Sequence, residues 1–427
     1  MSDTSGAGLP ATPDLVILNI GKLASAPAAP SRGPEMRSLI LRSDAGIAVV
    51  GDKIAAVESS AVIEAVAGGT TMIIDAGGRA VIPGFVDPHT HAVFAGERRD
   101  EFARRLEGQE YLEILKAGGA IISTVEKTRA ASSEELSAGF SRRLSRMLAA
   151  GTTTVEVKSG YGLNLLDEMK MLDAASVDWP GQTVKTFLGA HALPPEFRER
   201  RDEYVRLVCD EMLPAAVEHG ATFCDVFCEK GAFSVAEARL ILVRAKQLGL
   251  GLKVHADQVN PLGGAELAVE LGARSADHLG AVSPAGVRAL AGSRVAAVLL
   301  PASTLYVSGA SRAPARALID EGAIVAIGSD CNPGSSPVDS MPLVVSLACL
   351  VYGLTVDEAL VAATANAAYA CGVEDRAGRL APAYRADILI LDSDDYRDLA
   401  YRLGARLIKT VIAGGQVVAE PESDGPL

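Results

Sequence analysis

Eight short apolar runs recur between residues 81 and 327, each too short for a helix and each followed by a long amphipathic stretch. They are 81–86, 153–157, 184–188, 223–227, 251–255, 274–277, 295–300 and 324–327. Runs that are apolar without alternation suit strands covered on both faces, which is the situation of a parallel sheet flanked by helices. The stretches between them carry helix signals. Ser132-Ser133-Glu134-Glu135 reads as a capping box, followed by Leu136, Phe140, Leu144 and Leu148 on one face, with Gly151 as the stop. Ser234-Val235-Ala236-Glu237 repeats the device before Leu240, and Gly249 ends that helix. Strand–helix repetition with right-handed crossovers predicts an α/β chain whose eight strands close into a (β/α)8 TIM-like barrel.

The two ends are β-rich. Residues 14–20, 46–57 (with Gly51-Asp52 at a hairpin position) and 72–75 precede the barrel, while 386–392 (ADILILD) and 409–418 (KTVIAGGQVV, turning at Gly414-Gly415) follow it. The economical reading is a small β-sandwich domain built from both chain ends, residues 14–80 and 382–427, with the barrel of residues 81–381 inserted in it. An N-terminal β cap with an unrelated C-terminal tail is the alternative. Residues 1–13 are polar and rich in Pro, Gly, Ser and Ala, and read as a disordered tail rather than a signal peptide or membrane span.

Composition narrows the partners. Aromatic residues are only 4% of the chain, so its core must be aliphatic. A formal net charge of −13 argues against nucleic acid and anionic membranes. It would also repel an anionic small molecule, which would need a dedicated Arg or Lys inside its site. The six cysteines, 209, 224, 228, 331, 349 and 371, form no framework of close pairs and read as free thiols of a cytoplasmic protein.

Of six histidines, all but His219 stand at or just beyond the C-terminal end of an expected strand, the functional rim of such a barrel. His219 reads as a helix end without function. His89 and His91 are separated by one residue after the first run, so strand alternation points both rings the same way, at a spacing that can grip one ion. His255 ends the fifth run, His278 follows the sixth, and Asp330 follows the eighth within Gly328-Ser329-Asp330-Cys331-Asn332-Pro333-Gly334. Neutral imidazoles with one carboxylate suit a single divalent transition metal, Zn or Fe, held by His89, His91, His255 and Asp330.

This order of ligands resembles the amidohydrolase superfamily. Within it, Pro83-Gly84-Phe85-Val86-Asp87-Pro88-His89-Thr90-His91, Phe94-Ala95-Gly96 with Arg98, and Ser123-Thr124-Val125 resemble the imidazolonepropionase family. So do Val155 to Gly162 (VEVKSGYG), Gly189-Ala190-His191-Ala192, Asp225 to Glu229 (DVFCE), Ser275 to Leu279 (SADHL) and Asn332-Pro333-Gly334-Ser335. The resemblance implies hydrolysis of the cyclic amide C–N bond of 4-imidazolone-5-propanoate to N-formimidoyl-L-glutamate by metal-activated water, in a homodimer. Asp330 and His278 would move the proton. Arg98 and Tyr161 would bind the small anionic heterocycle, with the Arg98 guanidinium on its carboxylate. His191 would hydrogen-bond the ring or its carbonyl, and Gln258, Asn332, Gly334 and Ser335 would line the pocket. Another cyclic-amide hydrolase or aminohydrolase of the superfamily is the alternative. Many superfamily members bridge two metals through a modified Lys, but Lys158 follows the second run, so it is expected to be structural or to stand behind the ligands. Gln258 stands where related deaminases carry a proton-shuttling Glu, which argues against that chemistry. Segments 116–122 (KAGGAII) and 301–311, and Ser335 in place of Thr, depart from the family pattern.

Overall fold

The computed structural model of the chain describes residues 12–108, 121–307 and 311–419. The expected tail up to residue 11, most of segment 116–122 and part of 301–311 lie outside the described residues.

The eight barrel strands are Phe85–Thr90, Thr152–Lys158, Gln182–Ala190, Phe223–Cys228, Gly251–Ala256, Ser275–His278, Ala296–Leu299 and Ile324–Ile327. They run parallel and neighbour one another in chain order. Helices between them begin where the polar caps stand: Ser132 caps Ser133–Ala149 and Ser234 caps Val235–Gln247, each with the reciprocal Glu bond. Below, the barrel is filled by Val86, Phe223, Val298 and Ile324 packing on Ala367, Tyr369 and Val373 at and just beyond the helix Ala365–Ala370.

Among the described residues, backbone bonds close the seam between the first and eighth strands at one end only. The Asp330 amide donates to His89 O and the His91 amide to Cys331 O, both at 2.9 Å, around a bridge between Thr90 and Cys331.

The first barrel strand is not where the apolar run 81–86 places it. That run crosses between two sheets. Ala80–Pro83 pairs with Lys22–Ser25 and Ile388–Leu391, while the barrel strand starts at Phe85. Pro83 has no amide to continue a ladder. Gly84 makes the crossing: a Cβ there would fall 2.3 Å from Thr153 Oγ1. Hydrophobicity continues across the crossing because both sheets are buried, so it marks no boundary.

The ends form two sheets. One orders Lys53–Ser59, Ala45–Val50, Leu15–Ile20 and Met72–Asp75; the other orders Gln416–Ala419, Ile408–Ala413, Ile388–Leu391, Ala80–Pro83, Lys22–Ser25 and Ile40–Arg42. The second therefore joins N- and C-terminal strands directly. Ile17, Ile47 and Val49 of the first sheet share one apolar cluster with Val81, Ile388 and Ile412 of the second. No helix among the described residues is long and apolar enough to cross a membrane.

Candidate active site and metal centre

Strand geometry sets the first two donors. His89 lies within Phe85–Thr90 and His91 just beyond it, and Thr90 between them turns away to donate to Glu156 O at 2.8 Å. Both imidazoles are buried. His255, on the fifth strand, brings its Nε2 to 3.3 Å from His91 Nε2. Asp330, in a left-handed conformation just past the eighth strand, places Oδ1 3.6 Å from the Nε2 atoms of both His89 and His91.

Five histidines converge here, and three sets of donors each lie within 4.8 Å: His89, His91 and Asp330; His89, His255 and His278; His91, His191 and His255. His219 is elsewhere, at a helix end with its Nδ1 2.7 Å from Asp173.

The donor set fits a divalent transition metal. Burial holds the imidazoles of His89 and His91 well below their ordinary pKa, so both rings are neutral and carry bare lone pairs. His89 Nε2, which faces Asp330, is buried with no hydrogen-bond partner among the described residues, an expensive condition that a cation would relieve. The neutral rings of His89 and His91, with the His255 ring and a carboxylate at the same point, suit a positive charge between them. Burial also raises the Asp330 carboxyl, to about 6, against hydrogen bonds from Ser303 and Asn332.

Behind the histidines stand Lys158, expected there, and four charged groups to which sequence reading gave no place, Glu156, Asp225, Lys253 and Asp277. His89 Nδ1 donates to Asp277 Oδ2 at 2.6 Å, and His255 Nδ1 lies 3.0 Å from Asp225 Oδ2. Asp225, Asp277, Glu156, Lys158 and Lys253 are all fully buried. A signal was present: Asp225 is a lone charge in FCDVFC, and Glu156 and Lys158 alternate with Val155 and Val157 on a strand buried along its whole length.

Around the histidines, Tyr161 is buried with its ring 5.4 Å from His191 and 5.9 Å from His91. His191 stacks on His91 at 4.8 Å, and its Nδ1 donates to Gly160 O at 3.0 Å. A carbonyl only accepts, so His191 presents an unprotonated Nε2. His278 ends the sixth strand at φ 74°, its ring 5.1 Å from His255 and 5.3 Å from His89. Arg98 gives Nε and Nη2 to Glu101 Oε2, both at 2.9 Å, and lays the other edge of its guanidinium on Gly334.

The expected pocket residues of the loop after the eighth strand bond to one another. Asn332 Oδ1 accepts from the amides of Gly334 (2.8 Å) and Ser335 (2.7 Å), and its Nδ2 donates to Asp330 O at 2.6 Å. Asn332 and the Ser335 hydroxyl are thus committed to the loop itself. Gln258 is half-buried on the rim, next to Asp257, which caps the following turn through the amides of Leu262, Gly263 and Ala265. A cavity of about 520 Å³ opens at the opposite end of the barrel, between Phe223, Arg274 and Tyr369, and contains none of these residues.

A model of the amidohydrolase family matches residues 80–418. The chain is 46% identical over 416 residues to the imidazolonepropionase of Herpetosiphon aurantiacus, covering 95% of this chain and 97% of that one. It is 50% identical over 391 residues to that of Rubrobacter xylanophilus, covering 90% and 94%. Among solved structures it superposes on a 5-methylcytosine deaminase from Klebsiella pneumoniae with a TM-score of 0.70 at 19% identity, covering 96% of this chain and 100% of that one. An adenosine deaminase from Xanthomonas campestris with bound zinc gives 0.69 at 20% identity, covering 96% and 93%. At these identities the structural likeness is one of fold.

Proposed function

The chain belongs to the amidohydrolase family, and within it to the imidazolonepropionases, and on that premise we propose which residues perform each part of the reaction. It is a hydrolase of histidine degradation, opening the cyclic amide C–N bond of 4-imidazolone-5-propanoate to give N-formimidoyl-L-glutamate. The observation that carries the assignment of roles is the convergence of the His89, His91 and His255 imidazoles and the Asp330 carboxylate on a single buried point.

His89, His91, His255 and Asp330 hold one divalent metal, zinc or iron. When bound, such a metal supplies a Lewis acid for the ring carbonyl and makes water acidic enough to attack near neutral pH. Asp330 takes the proton from the attacking water as the water oxygen bonds to the carbonyl carbon. His278, on the neighbouring rim, shares that proton and delivers it to the ring nitrogen as the C–N bond breaks. His191 has its Nδ1–H committed to Gly160, so its Nε2 accepts from a ring N–H of the substrate rather than donating to the carbonyl. Arg98 pairs with the propanoate, supplying the positive charge that an acidic chain otherwise lacks, and Tyr161 packs beside it in the pocket. Gln258, Gly334 and Ser335 border the same space, and the enzyme works as a cytoplasmic homodimer.

The test is direct. Metal-loaded protein should consume 4-imidazolone-5-propanoate, His91→Ala should lose both metal and activity, and metal analysis should return one equivalent per chain. A fully loaded protein that leaves this substrate untouched would sink the assignment.

A further inference from the structure

The buried charges behind the histidines converge on one atom. Lys158 Nζ lies 2.8 Å from Asp225 Oδ2, 2.8 Å from Glu156 Oε1 and 3.5 Å from Asp277 Oδ2. Asp225 stands on His255 and also accepts from the His255 amide at 3.1 Å, while Asp277 stands on His89. Thr186 Oγ1 donates to Glu156 Oε1, and Lys253 Nζ lies 3.5 Å from that same oxygen while donating to Pro88 O, just ahead of His89, at 3.2 Å. Asp225 and Asp277 come from the fourth and sixth strands, on either side of the strand that carries His255.

We propose that Lys158 is a positioning residue for the metal centre, fixing the rings of His89 and His255 at once by holding the two carboxylates behind them. Each ring then directs Nδ1 to its carboxylate and Nε2 to the metal. An imidazole can present either nitrogen, and only a fixed partner on one of them decides which lone pair faces the ion. A carboxylate is such a partner only if it is itself held, because without a second anchor it rotates about its own bonds. An ammonium has three donors, enough for Glu156, Asp225 and Asp277 together. The inference rests on the metal ligands proposed above, and it explains a lysine on the second strand without giving it a place among them.

The test measures metal affinity by competition with a chelator, together with the melting temperature of the metal-free protein. Lys158→Met should bind metal 10- to 100-fold more weakly, on the order seen when groups supporting metal ligands are removed. Because the effect passes through the two carboxylates, Lys158→Met should add less than about twofold to an Asp225→Asn/Asp277→Asn protein. A lysine needed only for folding would lower the metal-free melting temperature and leave affinity unchanged. Where Lys158→Met does not fold, the charge-compensated Glu156→Gln/Lys158→Met protein replaces it. Nitrogen-15 NMR of the histidines in metal-free wild type gives a reading that needs no variant: His89 and His255 should both carry their proton on Nδ1. Wild-type affinity in either lysine variant, or an Nε2–H form of either ring, overturns the proposal. A wild type that binds no metal overturns the ligand assignment itself, which is a different result.

Discussion

Gly334→Ala should disable the substrate clamp without touching the metal or the fold. A Cβ at 334 would lie 2.0 Å from Arg98 Nη1 and 2.5 Å from its Cζ. Ordinary contact needs about 3.5 Å, so the guanidinium must move by about 1.5 Å. Gly334 does not have a left-handed φ, so alanine adds no backbone strain. The displaced atoms are the far end of a flexible side chain paired with Glu101, and the structural cost should stay within about 1 kcal/mol, the worth of such an ion pair. The functional cost is larger. A charge-assisted hydrogen bond is worth about 1.5–3 kcal/mol, so a misplaced guanidinium should lower kcat/KM by about 10- to 100-fold, mostly through KM. Steady-state kinetics on 4-imidazolone-5-propanoate, with metal content and melting temperature as controls, reads this directly. Arg98→Met should match it, and adding Gly334→Ala to Arg98→Met should cost little more. Wild-type KM in Gly334→Ala would show that the position of Arg98 against this loop is irrelevant to binding.

Three further outcomes follow from the geometry. His278→Gln should lower kcat by about 10²- to 10⁴-fold with metal content unchanged; loss of metal instead would move His278 into the ligand set through its approach to His89 and His255. Gly84→Ala should destabilise the protein by about 1–3 kcal/mol through the clash with Thr153, leaving kcat intact, and a melting curve identical to wild type would refute the tight crossing between sheets. Removing the metal should speed amide exchange at His91 and Asp330, whose bonds span the barrel seam, more than at amides between the fourth and fifth strands; uniform acceleration would count against coupling of metal and seam.

The barrel was legible because its strands are covered on both faces, so several runs stay apolar throughout, as Ala296–Leu299 and Ile324–Ile327 do. The helix starts were legible because Ser132 with Glu135 and Ser234 with Glu237 satisfy amides locally, independent of tertiary context. The convergence of His89, His91, His255 and Asp330 could be read because strand ends of a parallel barrel share one rim. What could not be read depends on neighbours distant in the chain. The sheet change at Pro83 and Gly84 is invisible to hydrophobicity, since Val81 and Phe85 are equally buried in different sheets. The grouping of Lys158 with Asp225 and Asp277 needs three strands in register. The bonds that the Asn332 amide makes within its own loop likewise depend on a shape the linear order does not reveal.

The one-ended seam bears on the order of assembly. His89 belongs to the first barrel strand to leave the ribosome, whereas Asp330 follows the last, so the contacts at the Asp330 and His91 amides are among the most distant in the chain and among the slowest to form. Until the eighth strand docks, the histidines of the first and fifth strands lack their carboxylate companion. With the ligands assigned here, a nascent or truncated chain offers the ion an incomplete grip, and full affinity arrives only with the last strand. Possession of a tightly held ion would then mark a barrel whose first and last strands have met, an event that needs none of the C-terminal strands that complete the second sheet.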